Sequence, residues 1–330
     1  MAKPRKKRRP LRRPPTPLAV ERGVYRGRRI VVLSRNPKLY STSRFAQAAA
    51  QQGHSIRVVD TLSCSVVVER GQPALLVGGE ALTEADVVLP RIGASVTSYG
   101  LAVVSQLELM RVPVLNSASA IATSRDKLRC LQLLARYDID VPRTVMARNK
   151  DDLEEAIRRV GGLPAIVKLT RGTQGIGVMI AHSMAELSTL LDTMWELGQE
   201  IVLQEFVAES RGRDVRVLVI GDRAVGAMRR TARKGEFRSN IHRGGAGVPI
   251  DLPREYADCA VRAARVVGLE VAGVDLLEGR HGPKVMELNS SPGFEGLETA
   301  TGLDVAGMII QHAVRYADAV RSGWRTYPPR

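Results

Sequence analysis

The chain has 330 residues, of which 44% are hydrophobic, and a formal net charge of +15. A chain of this length can form two or three domains with a sizeable core. It has no run of about 18 apolar residues, and its basic start lacks the apolar segment of a signal peptide, so we expect no membrane span and a cytoplasmic location. Cysteines occur only at Cys64, Cys130 and Cys259, in apolar segments without metal-ligand spacing, which predicts reduced, structural thiols.

The positive charge is concentrated at the N-terminus. Residues 1–20 contain eight Lys or Arg and no acidic residue, so that 41 basic and 34 acidic residues remain in the other 310. Because this segment is also rich in proline, we expect residues 1–26 to form a disordered basic arm. Such an arm can hold RNA phosphates or attract an acidic protein, and it can equally be a solubilising extension without a dedicated partner.

After the arm, residues 27–118 have the pattern of a small α/β domain with a largely parallel sheet. Strand and helix signals alternate, with strands expected in RRIVVLSRN, SIRVVD, CSVVVE, ADVVLP and VPVLN and helices at residues 43–52 and 99–110. Arg91 follows one of these strands, at the end where α/β sheets contact their ligands. An arginine that simply faces solvent is the alternative.

The segment LPAIVKLTRGTQGIGVMIA, within a unit expected at residues 119–206, predicts a strand, a glycine-rich turn and a second strand. Its glycines, Gly172, Gly175 and Gly177, allow the backbone to approach a ligand closely, so that successive N–H groups can hold phosphate oxygens. Lys168 lies on the strand before the turn. The spacing matches neither the Rossmann nor the Walker pattern, so this motif alone is a weak signal.

A third unit is expected at residues 207–318. Within it, DVRVLVIGDRAVGAMRR predicts a hairpin with Gly221 and Asp222 at the turn. The stretch RKGEFRSNIHRGGAG follows as a long polar loop, and we assign Arg229 and Arg230 to the series of cations that belongs to it. Long loops are usually functional, and arginines here would suit an acceptor carboxylate.

The segment GVDLLEGRHGPKVMELNSSPG predicts a second hairpin, which carries two acids and an amide. A loop centred on His281 pairs Asp275 with Glu287 across the two strands. Side chains alternate along a strand, so that Asn289 shares the face of Glu287. This alternation divides the second strand into a ligand face with Val285, Glu287 and Asn289 and a core face with Met286 and Leu288.

Two neighbouring carboxylates repel each other unless a cation lies between them, and hard oxygen ligands without Cys or His favour Mg²⁺ over zinc. We therefore interpret the hairpin as a metal site formed by Asp275, Glu287 and Asn289. The alternative is that these acids pair with surface Lys or Arg, and the hairpin alone does not separate the two interpretations.

The motifs occur in the order in which the ATP-grasp superfamily carries them: strand lysine, glycine-rich loop, adenine-type strand end, arginine loop and acid-acid-amide hairpin. The chain resembles the RimK family of α-L-glutamate ligases in the segments SRDKLR, IVKLTRGTQGIG, QEF, GDRAVGAMRR, FRSNIHRGG, VAGVDLL and VMELNSSPGFEG. This resemblance extends from about residue 28 to about residue 315. It implies an α/β ATP-grasp fold with an N-terminal Rossmann-like (pre-ATP-grasp) domain, followed by a tail at residues 319–330.

The resemblance also implies roles for individual residues. It implies contacts with the ATP phosphates from Lys127, Lys168, Gly172, Thr173, Gln174 and Gly175. It implies contacts with the adenine from Glu205 and Phe206, with the ribose from Asp214, and with the transferred phosphate from Arg238, Ser239 and Asn240. The catalytic residues would be Lys168, Arg238 and Arg243, and two Mg²⁺ or Mn²⁺ ions would bind Asp275, Glu287 and Asn289.

By the same resemblance, we expect an ATP-dependent ligase that adds L-glutamate to a carboxylate through an acyl phosphate. The expected acceptor is the C-terminus of the sixth protein of the small ribosomal subunit, and a homotetramer is expected. Two other functions stay open. One is a glutamate ligase for a free peptide, a small molecule or a cofactor tail, including polyglutamate synthesis, and the other is a basic nucleic-acid-binding protein with an inactive ATP fold.

Overall fold

The computed structural model describes residues 27–169, 177–233 and 246–324. It has the mixed α/β character that the sequence predicts, and the described strands form four sheets. None of the helices in these three ranges combines the length and the hydrophobicity needed to cross a bilayer. The expected basic arm lies outside the described residues.

The N-terminal unit consists of two small sheets with helices packed against them. Its elements are β1 (Arg29–Leu33), α1 (Tyr40–Gln51), β2 (Ser55–Val59), β3 (Cys64–Val67), β4 (Ala74–Val77), β5 (Glu80–Ala81), β6 (Val87–Pro90), α2 (Thr97–Leu109) and α3 (Ala118–Arg125). A parallel sheet has the order β2-β1-β6, and its central strand β1 is buried along four of its five residues. This sheet confirms the parallel arrangement expected at the start of the chain.

Of two further strand predictions in this unit, CSVVVE is confirmed as β3 and VPVLN was wrong. The segment CSVVVE does not join the parallel sheet, because β3 pairs antiparallel with β4 in a separate sheet. Only residues 68–73 separate these strands, which is enough for a hairpin but not for the crossover that parallel pairing requires. The segment VPVLN contributes a single bridge, between Val88 and Val114, because Pro113 has no N–H to extend the ladder.

The central unit contains an antiparallel sheet with the order β7-β10-β8-β9. Its elements are α4 (Lys127–Arg136), β7 (Thr144–Val145), α5 (Leu153–Val160), β8 (Ala165–Leu169), β9 (Val178–Ala181), α6 (Met184–Glu196) and β10 (Ile201–Glu205). Strands β8 and β9 are the pair predicted on either side of the glycine-rich turn. Helix α4 begins directly after Asp126, whose carboxylate accepts the backbone N–H of Arg129 at 3.0 Å. This N-cap fixes the start of the helix and places Lys127 in its first turn.

The third unit is a five-stranded antiparallel sheet with the order β13-β12-β11-β14-β15. Its elements are β11 (Arg213–Ile220), β12 (Arg223–Thr231), β13 (Ala246–Pro249), α7 (Arg254–Val267), β14 (Val271–Gly279), β15 (Gly282–Asn289), α8 (Glu295–Thr301) and α9 (Val305–Arg321). Gly221 and Asp222 form the turn between β11 and β12, as predicted. Arg229 and Arg230 lie on β12, so their assignment to the following loop was wrong.

Hydrophobic cores cover both faces of this five-stranded sheet. On one face, α4 and α7 pack against strand residues such as Val217 and Leu276. On the other face, α9 packs together with Phe294, which follows β15, and Phe45 of α1. The rings of Phe45 and Phe294 have centroids 5.4 Å apart. The N-terminal unit therefore shares a core with the chain that follows the predicted metal strand.

The cysteines are free, as predicted. Burial raises the pKa of the Cys64 thiol to about 11 and that of Cys130 to about 12. Burial also raises the pKa of Cys259 to about 11. All three thiols therefore stay protonated at neutral pH, which fits a structural role.

Asn116 connects the N-terminal unit to the hairpin β14–β15 through hydrogen bonds. Its side chain is buried, and Nδ2 donates to the carbonyl oxygens of Val271 at 2.8 Å and Ser290 at 2.9 Å. Its Oδ1 accepts the backbone N–H groups of Glu270 at 2.7 Å and Val271 at 3.0 Å. One amide therefore pairs four backbone groups at the open end of the hairpin.

We predict that Asn116→Ala lowers the free energy of unfolding by about 3 kcal/mol, because the buried backbone groups lose their partners. Urea unfolding of the purified variant measures this loss. The matched control is Asn149→Ala, since Asn149 is exposed and its side chain accepts a single N–H, that of Asp151, among the described residues. The role assigned to Asn116 is wrong if both variants lose the same small amount.

Candidate active site

The hairpin β14–β15 brings the two predicted acids together. Asp275 lies directly opposite Glu287, which confirms the predicted pair. The turn consists of only Arg280 and His281, so the predicted loop centred on His281 was wrong. A β-bulge between Asp275 and Leu276 shifts the register by one residue and restores the pair.

The same bulge changes which side chains of β15 face the core. Val285 is fully buried together with Leu288, whereas Met286 is half-buried. The predicted division of the strand was therefore wrong for Val285 and Met286, because Met286 is the extra residue at the bulge and the alternation breaks there. Glu287 and Asn289 line the same cavity.

Asp275 is buried and held by two arginines. Arg216, opposite it on β11, donates from Nε and Nη2 to the two carboxylate oxygens at 2.6 and 2.7 Å. Arg230 lies 2.9 Å from Oδ2 of Asp275. Burial alone would raise the pKa of Asp275, but the charges of Arg216 and Arg230 hold it below its usual value. The alternative of an arginine-paired acid therefore holds for Asp275, although this pairing is in the interior and not at the surface.

Asp214, on β11, is paired in the same way with Arg230 of β12. Its oxygens accept from Nε and Nη2 of Arg230 at 2.6 and 2.8 Å, and both side chains are only 2% exposed. We refer to Asp214, Arg216, Arg230 and Asp275 as the ion network. The ribose contact predicted for Asp214 thus falls on a carboxylate that already accepts two charged hydrogen bonds, and this role stays a prediction.

The side-chain oxygen atoms of Glu287 and Asn289 have fewer described protein partners than those of Asp275. Glu287 is exposed toward the cavity and forms no ion pair within the described residues. Oδ1 of Asn289 accepts the backbone N–H of Ser291 at 3.0 Å and keeps a second lone pair. Together with Asp275 across the hairpin, these residues form a set of hard oxygen donors that fits Mg²⁺.

Two lysines approach Glu287 from the central unit. Lys168 lies on β8, and its Nζ donates to Oε1 of the buried Gln204 at 2.5 Å. Burial lowers the pKa of Lys168 to about 8, while the charge of Glu287 opposes this shift and that of Lys127 adds to it. Lys127 and Glu287 therefore lie within electrostatic range of Lys168, and both line the same cavity. The structure therefore brings the two predicted phosphate ligands to one of the predicted metal ligands.

The predicted adenine contacts lie at the end of β10. The Glu205 carboxylate accepts the backbone N–H of Arg143 at 3.0 Å and lies 3.6 Å from Nζ of Lys284. Phe206 follows and is half-buried. Because the Glu205 side chain is already paired, the adenine contact that the sequence predicts would come from the backbone and from the Phe206 ring.

Several predicted site residues cannot be placed. Those that lie outside the described residues are Gly172, Thr173, Gln174, Gly175, Arg238, Ser239, Asn240 and Arg243. Their roles stay predictions.

A cavity of about 420 Å³ lies beside Glu287 and Asn289. Its size falls in the range of small-molecule pockets, roughly 300–1,000 Å³. Arg91, Arg125 and Lys127 also line it, whereas Glu287 is the single acid among its described lining residues. Arg91 therefore lies at a candidate site and not simply in solvent.

Sequence reasoning missed several residues of this site. Arg216 has a signal in the sequence, because it follows Asp214 at the spacing of two that places both on one face of a strand. Arg125 lies two positions before Lys127, which was predicted to contact the ATP phosphates. Gln204, the partner of Lys168, has no comparable signal, because the contact joins two strands that are distant in the sequence.

Comparison with known families shows to which family the chain belongs. Residues 124–313 match the RimK-like ATP-grasp domain, and residues 29–121 match the RimK PreATP-grasp domain. The chain belongs to the RimK-like ATP-grasp family. This membership confirms the predicted family and the predicted ATP-grasp fold with a pre-ATP-grasp domain.

Individual relatives agree with this family. The chain is similar to a probable alpha-L-glutamate ligase of Ectopseudomonas mendocina (strain ymp), with 49% identity over 290 residues, 88% of this chain and 96% of that protein. It is also 49% identical over 290 residues to a probable alpha-L-glutamate ligase of Rhodopirellula baltica, covering 88% of this chain and 72% of that protein. With its ligase domain, the chain is a ligase enzyme, as predicted.

The chain is similar in fold to the ATP-grasp ligase PsnB, solved in complex with a minimal precursor, Mg and ADP. The TM-score is 0.68, the identity is 22%, and the match covers 88% of this chain and 98% of PsnB. At this identity the similarity supports the fold alone.

We predict that Lys168 makes the stability of the protein depend on pH. Its pKa is about 8 in the folded protein, against an ordinary value of 10.5. Between these values the unfolded chain binds more protons than the folded one, so the free energy of unfolding rises with pH. The destabilisation by the buried charge is present below pH 8 and is relieved above it. Between pH 7 and 9.5 the wild type should gain about 2 kcal/mol relative to Lys168→Met.

Urea unfolding at both pH values tests this difference. Lys38→Met is the control, because Lys38 is exposed and its loss should leave the pH dependence of the wild type in place. An identical pH dependence in the wild type and in Lys168→Met would show that Lys168 is not the responsible group.

Proposed function

We propose that the protein is an ATP-dependent α-L-glutamate ligase, which joins the amino group of L-glutamate to an acceptor carboxylate. The observation that carries this proposal is the pairing of Asp275 with Glu287 beside Lys127 and Lys168. The relatives named alpha-L-glutamate ligase support the choice of glutamate as the amine.

The proposed reaction has two steps. An oxygen of the acceptor carboxylate attacks the γ-phosphorus of ATP, and the bond from that phosphorus to ADP breaks. The amino group of glutamate then attacks the acyl phosphate, the C–N bond forms, and phosphate leaves while the amine loses its proton. No covalent intermediate with the protein is needed, so the protein positions the reactants and stabilises charge. Lys127 and Lys168 would neutralise the phosphate oxygens.

Asp275, Glu287 and Asn289 would hold the metal, and we propose two Mg²⁺ or Mn²⁺ ions. A bound ion of this kind neutralises phosphate charge. The PsnB complex with Mg and ADP supports the choice of nucleotide and metal. Oδ1 of Asp275 accepts one hydrogen bond from Arg216 and keeps a second lone pair, whereas Oδ2 is approached by both Arg216 and Arg230. Ligation through Oδ1 therefore does not require the ion network to break.

The acceptor that we propose is the C-terminus of the sixth protein of the small ribosomal subunit. The remaining parts of the proposal are a cytoplasmic homotetramer and contact with RNA through residues 1–26, which would hold the enzyme near the ribosome. The PsnB complex with a minimal precursor favours a second candidate, a free peptide acceptor.

The acceptor is tested by phosphate release and intact mass. The purified protein is incubated with ATP, Mg²⁺ and glutamate, with and without the purified small-subunit protein. Mass increments of whole glutamate residues on that protein support the proposal. Phosphate release without such increments shifts the acceptor to a free peptide or small molecule, and no release under either condition contradicts the ligase.

We predict that Glu287→Gln lowers the turnover rate by at least about 100-fold, because one charged ligand of the phosphate-neutralising metal is lost. Phosphate release measures the rate. The fold should persist, since Glu287 is exposed and takes part in no ion pair within the described chain. Glu295→Gln makes the same replacement at an exposed position of α8 and should retain full activity. Substantial turnover in Glu287→Gln would remove the hairpin as the reaction centre.

A further inference from the structure

Arg91 lies in the wall of the 420 Å³ cavity, where hydrogen bonds to uncharged groups hold its side chain. Its Nη2 donates to the carbonyl oxygen of Pro292 at 2.9 Å and to Oγ of Ser41 at 3.3 Å. Its guanidinium carbon lies 5.8 Å from the centroid of the Phe45 ring. Among the described residues no carboxylate pairs with it. The orientation of this arginine is therefore fixed while its charge stays uncompensated.

Arg125, the last residue of α3, is in a similar situation. Its Nη2 donates to the carbonyl oxygen of Ile92, which directs the side chain toward Arg91 and its neighbours. Its Nε is buried and has no hydrogen-bond partner within the described chain, and the same is true of Oγ of Ser290. Both Arg125 and Ser290 line the cavity. Unpartnered polar atoms of this kind are uncommon in protein interiors, and here two of them border one pocket.

The two arginines also act on each other. Burial, together with the positive charge of Arg125, lowers the pKa of Arg91 to about 10. Burial likewise lowers the pKa of Arg125, with only partial opposition from Glu287. Buried charges are normally paired, because an unpaired one is costly. The start of α1 adds to the positive potential, since no side chain caps it and Ser41 in its first turn lines the cavity.

The proposed reaction leaves these two arginines without an anion. Lys127 and Lys168 are assigned to the phosphates, and Glu287 to the metal. A carboxylate that attacks phosphorus must present its lone pairs to that atom, so a pair of arginines would hinder it. The incoming glutamate brings two carboxylates that keep their charge throughout. An arginine can bind such a group through two parallel hydrogen bonds.

We infer that Arg91 and Arg125 form a subsite for a non-reacting carboxylate of the incoming glutamate. This inference rests on the proposed function and identifies the part of the same site that binds the amino acid. It makes these arginines the residues that bind and orient the incoming amino acid, because a neutral group in this pocket would leave both guanidinium groups uncompensated.

Steady-state kinetics of Arg125→Gln and Arg91→Lys test the subsite. We expect the KM for glutamate to rise about 10- to 100-fold, as for the loss of hydrogen bonds to a charged group. The KM values for ATP and for the acceptor should not change. Arg129→Gln is the control, because Arg129 is exposed on α4 and does not line the cavity. A rise in the KM for the acceptor or for ATP, with that for glutamate unchanged, would overturn the inference.

Direct binding separates this inference from the proposed function. Calorimetry with glutamate, in the presence of Mg²⁺ and a non-hydrolysable ATP analogue, should show equal binding to the wild type and to Arg129→Gln and about 10- to 100-fold weaker binding to the two subsite variants. Binding of the ATP analogue itself verifies that each variant is folded. If the variants bind glutamate as tightly as the wild type, the subsite is wrong while the ligase stands. If the wild type binds no glutamate, the proposed function and the subsite both fail.

Discussion

The ion network of Asp214, Arg216, Arg230 and Asp275 is the interaction on which the geometry of the site depends. It connects three neighbouring strands, β12, β11 and β14, through charged contacts of 2.6 to 2.9 Å. Removing one partner would leave a buried charge uncompensated, at a cost of about 3 to 5 kcal/mol. The network thereby fixes Asp275, and the register of the hairpin then fixes Glu287.

The ion network contains two positive and two negative charges, so its net charge is zero. The net charge of the open site is therefore set by the residues around the network. Lys127, Lys168, Arg91 and Arg125 are positive there, and Glu287 is the single acid among the described residues that line the cavity. Burial is the main cause of the lowered pKa values of Lys168 and Arg91, and the neighbouring cations Lys127 and Arg125 contribute to them. Folding of the protein therefore places like charges together, and bound anions would relieve that repulsion. Charges fixed in advance in this way need no reorganisation when the reaction starts.

The sequence predicted both hairpins and the pairing of Asp275 with Glu287, because alternation and turn residues are local signals. It could not predict the two β-bulges. The two-residue turn alone would place Met286 opposite Asp275, and the bulge restores Glu287. A second register shift, between β11 and β12, brings Arg230 opposite Asp214. Bulges depend on how a strand packs on its whole sheet, so the pairing of Asp214 with Arg230 was beyond the reach of sequence patterns.

The two halves of the site are held in different ways. The segment after β15 is fixed by the N-terminal unit through the bonds of Arg91 to Pro292 and of Asn116 to Ser290, and both units share one core. Lys168, in contrast, belongs to a sheet with a core of its own. The attraction between Lys168 and Glu287 therefore acts across the boundary between separately packed units. Nucleotide phosphates with their metal would bridge this boundary, so binding of the nucleotide and assembly of the complete site would be one event.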